Sequence, residues 1–325
     1  MSDIQRRTLL SAAAYSLVAA SPYAWAAYPD KPLKLIVPWA AGGSTDAIAR
    51  ALAQRMTETM GQSVIVDNKA GAAGQIGTDF LAKSAPDGYS LGIVELPHAI
   101  APAVVAKLPY DLLRDFSPVT LIGTSPLILF TGVGPDSVDY KTFVRKAAQG
   151  QAPAIAHSGS GTVSHLVGEM FAARTKINFN QIPYKGSAPA LIDVASGQVA
   201  AHFATLASGA ALLSAGKIRA LAVTSNRRMD TPTMRNVPTM AELGIKDLAL
   251  NQWWGLVAPA TTPIDILEKL RLQAISAMAS PAMQTRMATL GVDLKGSTRD
   301  DLRAFMRNES QRWQAVALAT GLKPQ

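Results

Sequence analysis

A short apolar run, a small-residue turn and a helical stretch follow one another repeatedly along this 325-residue chain. The first such unit is LKLIV at 33–37, a turn through Gly42 and Gly43, and a helix predicted over 45–60. Ile48, Leu52 and Met56 recur at four-residue spacing, which puts them on one helical face. Gly61 is placed to stop that helix. A strand at 64–67, a second turn at 69–74, a helix at 75–85 and a strand at 90–95 continue the pattern. Strands joined through helices must run parallel with right-handed crossovers, so the fold class is α/β.

The rhythm resumes after Pro135. Helices are predicted at 140–149, 164–176 and 188–196, and strands at 154–156, 179–182, 200–204 and 218–223. A long strand, NQWWGLV at 251–257, precedes a mainly helical end with helices at 263–279, 281–290 and 298–320. The apolar stretches 119–131 and 248–257 are each long enough to pass between two lobes. Two crossings make the first lobe discontinuous. The expected division is 28–127 with 249–325 for the first lobe and 128–248 for the second.

The first 26 residues carry Arg6 and Arg7, a short apolar stretch and Ala24-Trp25-Ala26, which together read as a cleaved export signal. The paired arginines before Thr8-Leu9-Leu10 suit the twin-arginine route as well as the general one. No apolar run reaches 18 residues, which excludes a multi-span membrane protein. Cysteine is absent, which excludes disulfides, thiolate metal sites, a cysteine nucleophile and a lipid-modified N-terminal cysteine. The expected product is exported to the periplasm, monomeric and free of bound cofactor or metal. The net charge is +8, and the basic residues are dispersed. That pattern suits small anions or simple solubility, and the sparse aromatics argue against nucleic acid.

Four turns could carry chemistry. The first runs from Trp39 through Ala41, Gly42, Gly43, Ser44 and Thr45 to Asp46, between a strand and a helix. Free amides at a helix start favour an anion, and the helix dipole adds to this. The second contains Gly71 and Ala72. The third holds Ser158, Gly159, Ser160, Gly161 and Ser164, and the fourth Tyr184 and Lys185. The third turn lacks the lysine of a phosphate-binding loop and one glycine of the dinucleotide pattern, so nucleotide binding is rejected. The end of the strand at 200–204 adds Phe203 and Ala204. Open α/β sheets bind ligands beyond the carboxyl ends of their strands, where these turns lie. A hydrolase using His157, Ser160 and Asp193 stays open as an alternative. His165 and Glu169, four apart, have a spacing able to hold a metal, but a histidine that caps its helix accounts for them without one.

Eight stretches in order carry a resemblance: 28–46 (YPDKPLKLIVPWAAGGSTD), 66–91, 107–119, 164–171, 182–191, 217–225, 237–243 and 253–263. Over nearly the whole chain they resemble the periplasmic substrate-binding proteins of tripartite tricarboxylate transporters, the Bug family. The resemblance implies two α/β lobes of the periplasmic binding protein type, joined by two crossing strands. It implies a small organic acid held between them, no catalysis, and delivery to a membrane permease of one large and one small subunit. A ligand-sensing partner of a membrane kinase shares the same fold and cleft. The resemblance places one ligand carboxylate on the turn from Ala40 to Thr45, with Asp46 closing it, and maps the second-lobe loop onto 157–164. Two departures stand out. His157 replaces a small hydroxyl, and Glu95 stands where a small neutral residue is common. An acid in an anion-binding cleft is costly unless paired, for instance with His98 or a ligand donor. Trp39, Trp253 and Trp254 could stack on an aromatic acid, or pack in the core.

Overall fold

The computed structural model describes residues 28–150 and 152–320. The export signal read over residues 1–26 lies outside the described residues. Strand β1 (Leu33–Val37) buries every residue except Lys34. It pairs in parallel with both β2 (Val64–Asn68) and β3 (Ser90–Glu95). Helix α1 (Ser44–Met60) covers this sheet with Ile48, Leu52 and Met56 fully buried, and Gly61 ends it in the left-handed conformation. Helix α2 (Gln75–Ala82) connects β2 to β3. The 3.6-residue spacing of the apolar positions thus became burial as expected.

The parallel expectation fails for the rest of that sheet. Its order is β11-β4-β10-β3-β1-β2. Strands β4 (Phe116–Pro126), β10 (Asn251–Pro259) and β11 (Asp293–Leu294) pair antiparallel within it. Strand β10 arrives from the other sheet, so no helical crossover dictates its direction.

The second sheet has the order β7-β6-β8-β5-β9. Here β6 (Ala154–His157) pairs in parallel with β7 (Asn180–Pro183) and β8 (Ala201–Ala204). Strand β5 (Ile128–Gly132) pairs antiparallel with β8 and with β9 (Ile218–Val223). Helices α4 (Tyr140–Gln149), α5 (Val163–Thr175) and α6 (Ser187–Ser196) lie where helices were predicted. Two further helices did not show in the sequence pattern: α3 (Leu96–Val104) and α7 (Leu206–Ser214). Pro97 made the first look like a loop, yet it occupies the opening turn of the helix, where a missing N–H costs nothing. The second is built of small and apolar residues with no polar stripe to mark a period. Helices α8 (Ile264–Ala279), α9 (Pro281–Thr289) and α10 (Arg299–Thr320) complete the chain. No described helix is long and apolar enough to cross a membrane.

The chain passes from the first sheet to the second through Leu127 alone, and returns between β9 and β10. Buried Thr224 ties the two passages together. Its N–H donates to Leu127 O (2.9 Å), and its Oγ1 accepts from Leu127 N (2.9 Å) and donates to Leu250 O (2.7 Å). Leu250 N in turn donates to Thr224 O at 3.3 Å.

Candidate functional site

Five strand-to-helix turns open on one cavity between the sheets. The residues that precede α1, α3, α5, α6 and α7, namely Gly43, Glu95, Thr162, Gly186 and Thr205, all line it. Each helix start follows a strand carboxyl end, so the positive ends of five helix dipoles share one space. The cavity measures about 50 Å³ on a scale where one water needs roughly 10–15 Å³. That is space for roughly three to five water-sized groups. No Lys or Arg is among its lining residues.

The two walls differ. The second-lobe wall is rich in hydroxyls. Ser158 Oγ lies 2.8 Å from Ser187 Oγ and 3.2 Å from Ser164 Oγ, and Ser164 Oγ accepts from Ser158 N at 2.9 Å. Hydroxyl protons bonded mainly to one another can rotate toward an anion at little cost.

The first-lobe wall is acidic. Glu95 is buried and takes three hydrogen bonds. Trp39 Nε1 and Thr45 Oγ1 (3.0 Å) donate to its Oε1, and Gln252 Nε2 donates to its Oε2. Thr45 Oγ1 is itself oriented by Trp254 Nε1 at 3.1 Å. Burial raises the Glu95 pKa to about 8 against the opposing pull of the three donors. Behind it, His98 Nδ1 accepts from Glu95 N (3.0 Å) and Nε2 lies 2.8 Å from Thr78 Oγ1. Burial lowers the His98 pKa to about 4, so this ring is neutral. The expected pairing of His98 with the Glu95 carboxyl is therefore corrected: the ring serves the backbone, and the tryptophan, threonine and glutamine serve the acid.

Residues 48–322 match the receptor family of tripartite tricarboxylate transporters, TctC. The chain belongs to this family. Protein BugT of Bordetella pertussis is 38% identical over 308 residues, with 94% of each chain covered. A Rhodopseudomonas palustris protein solved with adipate is 31% identical, with TM-score 0.86 and coverage of 92% of this chain and 100% of that one. MatC of the same organism, solved with malate, is 29% identical, with TM-score 0.83 and coverage of 89% and 100%.

Within this TctC-family chain the candidates divide. Trp39, Gly43, Ser44, Thr45, Glu95, Ser158, Ser164, Phe203 and Ala204 line the cavity. Gly42 and Asp46 instead hold the first turn from behind. Gly42 N donates to Asp46 Oδ2 (3.0 Å), which also takes Arg50, while Asn68 donates to Oδ1. Burial opposes the charge on Asp46, yet the bonds from Arg50, Gly42 and Asn68 hold its pKa below the usual value. Ala41 does not line the cavity, and the Ser44 amide donates to Ser208 Oγ of α7 across the cleft (3.0 Å). The expectation that these turns present wholly free amides is thus corrected at Gly42, Ser44 and Ser158, because side-chain oxygens already meet them.

Gly71 and Ala72 stand outside the lining. Their turn ends at Gly74, where a Cβ would lie 3.2 Å from the Trp39 ring, so it packs behind that tryptophan. His157 is also outside. It is buried, its ring packs at a tilt against His165 (4.4 Å between centroids), and its Nδ1 accepts from Gly159 N at 3.3 Å. It faces neither ligand space nor solvent, and burial lowers its pKa to about 4. His165 Nδ1 accepts from Gly161 N at 3.2 Å, the capping role foreseen for it. Gly159, exposed Ser160 and Gly161 carry the loop outside the lining, as do Tyr184 and exposed Lys185. Asp193 accepts from Tyr184 OH (2.6 Å), so His157, Ser160 and Asp193 do not assemble a triad. Trp253 and Trp254 are core residues, and only Trp39 of the three reaches the cavity. Gln252, Thr205, Leu127 and Pro97 were missed. Gln252 sits one residue before the tryptophan pair on a strand read only as a crossing, and no local motif marks it.

Proposed function

We propose that this chain is the extracytoplasmic solute receptor of a tripartite tricarboxylate-type transporter. It captures a small carboxylate between its lobes and presents it to the large and small membrane subunits. The observation that carries this reading is the convergence of five helix starts on one cavity without a cationic side chain. Helix starts and hydroxyls then supply the attraction for an acid group. The adipate and malate bound by two relatives of the same fold support the same ligand class. Among the described residues, 28–127 with 249–320 form one lobe and 128–248 the other, and the passages clamped by Thr224 are the hinge. A ligand that touches both walls favours the closed arrangement by that difference in contacts.

The test is a thermal-shift screen of mono-, di- and aromatic carboxylates, followed by calorimetry. A ligand at a hundred times its Kd adds about 2.7 kcal/mol to stability, a clear rise in Tm. No shift with any small carboxylate contradicts the reading.

A further inference from the structure

Glu95 is the one ionisable side chain among the residues that line the cavity. It is 3% exposed, and its oxygens meet only uncharged donors: Trp39 Nε1 and Thr45 Oγ1 at Oε1, and Gln252 Nε2 at Oε2. No cation balances it. Behind it lies the neutral His98 ring, and beyond that Tyr110, 6.2 Å away between centroids and kept neutral by burial. Asp46, on the same helix as Thr45, is already paired with Arg50 at 2.9 Å. The facing wall contributes hydroxyls and backbone, and no titratable group. The ligand acid enters this same small space. Held by the Ser158, Ser164 and Ser187 hydroxyls, it faces Glu95. On the Ser44–Thr45 turn it lies closer still, because Thr45 Oγ1 donates directly to Glu95 Oε1 at 3.0 Å. Two like charges sharing a site without a counter-ion disfavour ionisation of the weaker acid. Burial already puts the Glu95 pKa at about 8, so Glu95 is the weaker acid of the two.

We propose that a carboxylate is captured together with a proton on Glu95, so that the filled cavity holds the ligand ionised and Glu95 as the neutral acid. The inference rests on the carboxylate-receptor reading. The proton comes from solvent, and no bond of the ligand changes. Trp39 Nε1 only donates, so the acid O–H needs another acceptor. A ligand oxygen supplies one. Gln252 Oε1, buried with no hydrogen-bond partner among the described residues, supplies a second once that amide turns over. Below pH 8 Glu95 of the empty protein already bears the proton, and affinity is flat. Above it, each carboxylate bound draws in a proton, and affinity declines.

The test is calorimetry on the purified protein. The probes are the unbranched mono- and dicarboxylates of three to six carbons and benzoate. The tightest of them is taken from pH 6.5 to 9 in buffers of different ionisation enthalpy. Carboxylic acids in solution are ionised throughout that range, so a proton taken up belongs to the protein. The expected result is almost no uptake at pH 6.5 and close to one proton per ligand at pH 9. Affinity should fall about tenfold between pH 7 and 9, following the pKa of about 8. Glu95→Gln should remove both the uptake and the fall. Trp39→Phe deletes a donor that favours the charged form, so the fall should begin at higher pH. That shift keeps the test decisive if Glu95→Gln does not fold, and a fall unmoved in Trp39→Phe counts against Glu95 as its source. Zero uptake at pH 9, or uptake that persists in Glu95→Gln, overturns the coupling and leaves the carboxylate reading standing. Binding of none of the probes contradicts that reading itself, and the coupling with it.

Discussion

At Glu95 burial and three hydrogen bonds pull the same proton in opposite directions, and burial wins with a pKa of about 8. The unfolded chain releases this proton near 4.5, so the folded form binds one more proton between pH 4.5 and 8. Stability contributed by this group is full below 4.5 and is lost as pH rises toward 8. Histidines 98, 157 and 202 act with the opposite sign. Burial lowers each pKa from 6.5 to about 4, so stability falls as pH drops from 6.5 toward 4. Thermal unfolding of the unliganded protein should therefore be most stable near pH 6.5. Glu95→Gln should abolish the decline between pH 6.5 and 8 and leave the acid limb in place. An alkaline limb that persists in the variant contradicts the assignment of that decline to Glu95. Sequence alone flagged Glu95 as out of place, because an acid is unexpected in an anion cleft. Its partners were out of reach, since Trp39 and Gln252 lie 56 and 157 positions away.

The helix starts are the elements that make the cavity. The turns before α1 and α5 showed in the sequence because glycine and small polar residues interrupt clear apolar runs. Those before α3 and α7 did not, since Pro97 mimicked a loop and the small residues of α7 carry no period. Ser187, at the start of α6, hydrogen-bonds to Ser158 Oγ and to no core group. Ser187→Ala should weaken carboxylate binding about threefold to tenfold, the net value of one hydrogen bond, with Tm of the empty protein unchanged. Equal affinity in calorimetry contradicts a role for this hydroxyl cluster. Gly42 adopts φ +89°, and an added Cβ would face Ala188 across the cleft at 3.5 Å. Gly42→Ala should lower stability by about 1–2 kcal/mol, the cost of a side chain in the left-handed region, measurable by denaturant titration.

Across the whole molecule, two sheets communicate through Leu127, Leu250 and the threonine between them. The two-lobed organisation was legible in the long apolar stretches at 119–131 and 248–257, each read as long enough to pass between two lobes, although β4 and β10 themselves pair side by side in the first sheet. The antiparallel placement of β10 was not, because pairing direction is settled by a partner distant in sequence. Thr224→Val removes a hydroxyl that serves Leu127 N and Leu250 O, both in buried residues. Each orphaned group costs about 1–3 kcal/mol, so Tm should fall and hydrogen exchange at Leu127 should quicken. Unchanged exchange there contradicts the hinge clamp. The most direct measurement is a crystal structure of the protein grown with whichever small carboxylate raises its Tm most. The account predicts the acid group in the cavity between the sheets, its oxygens within hydrogen-bond reach of Ser158, Ser164 or Ser187. Density for the ligand anywhere else contradicts it.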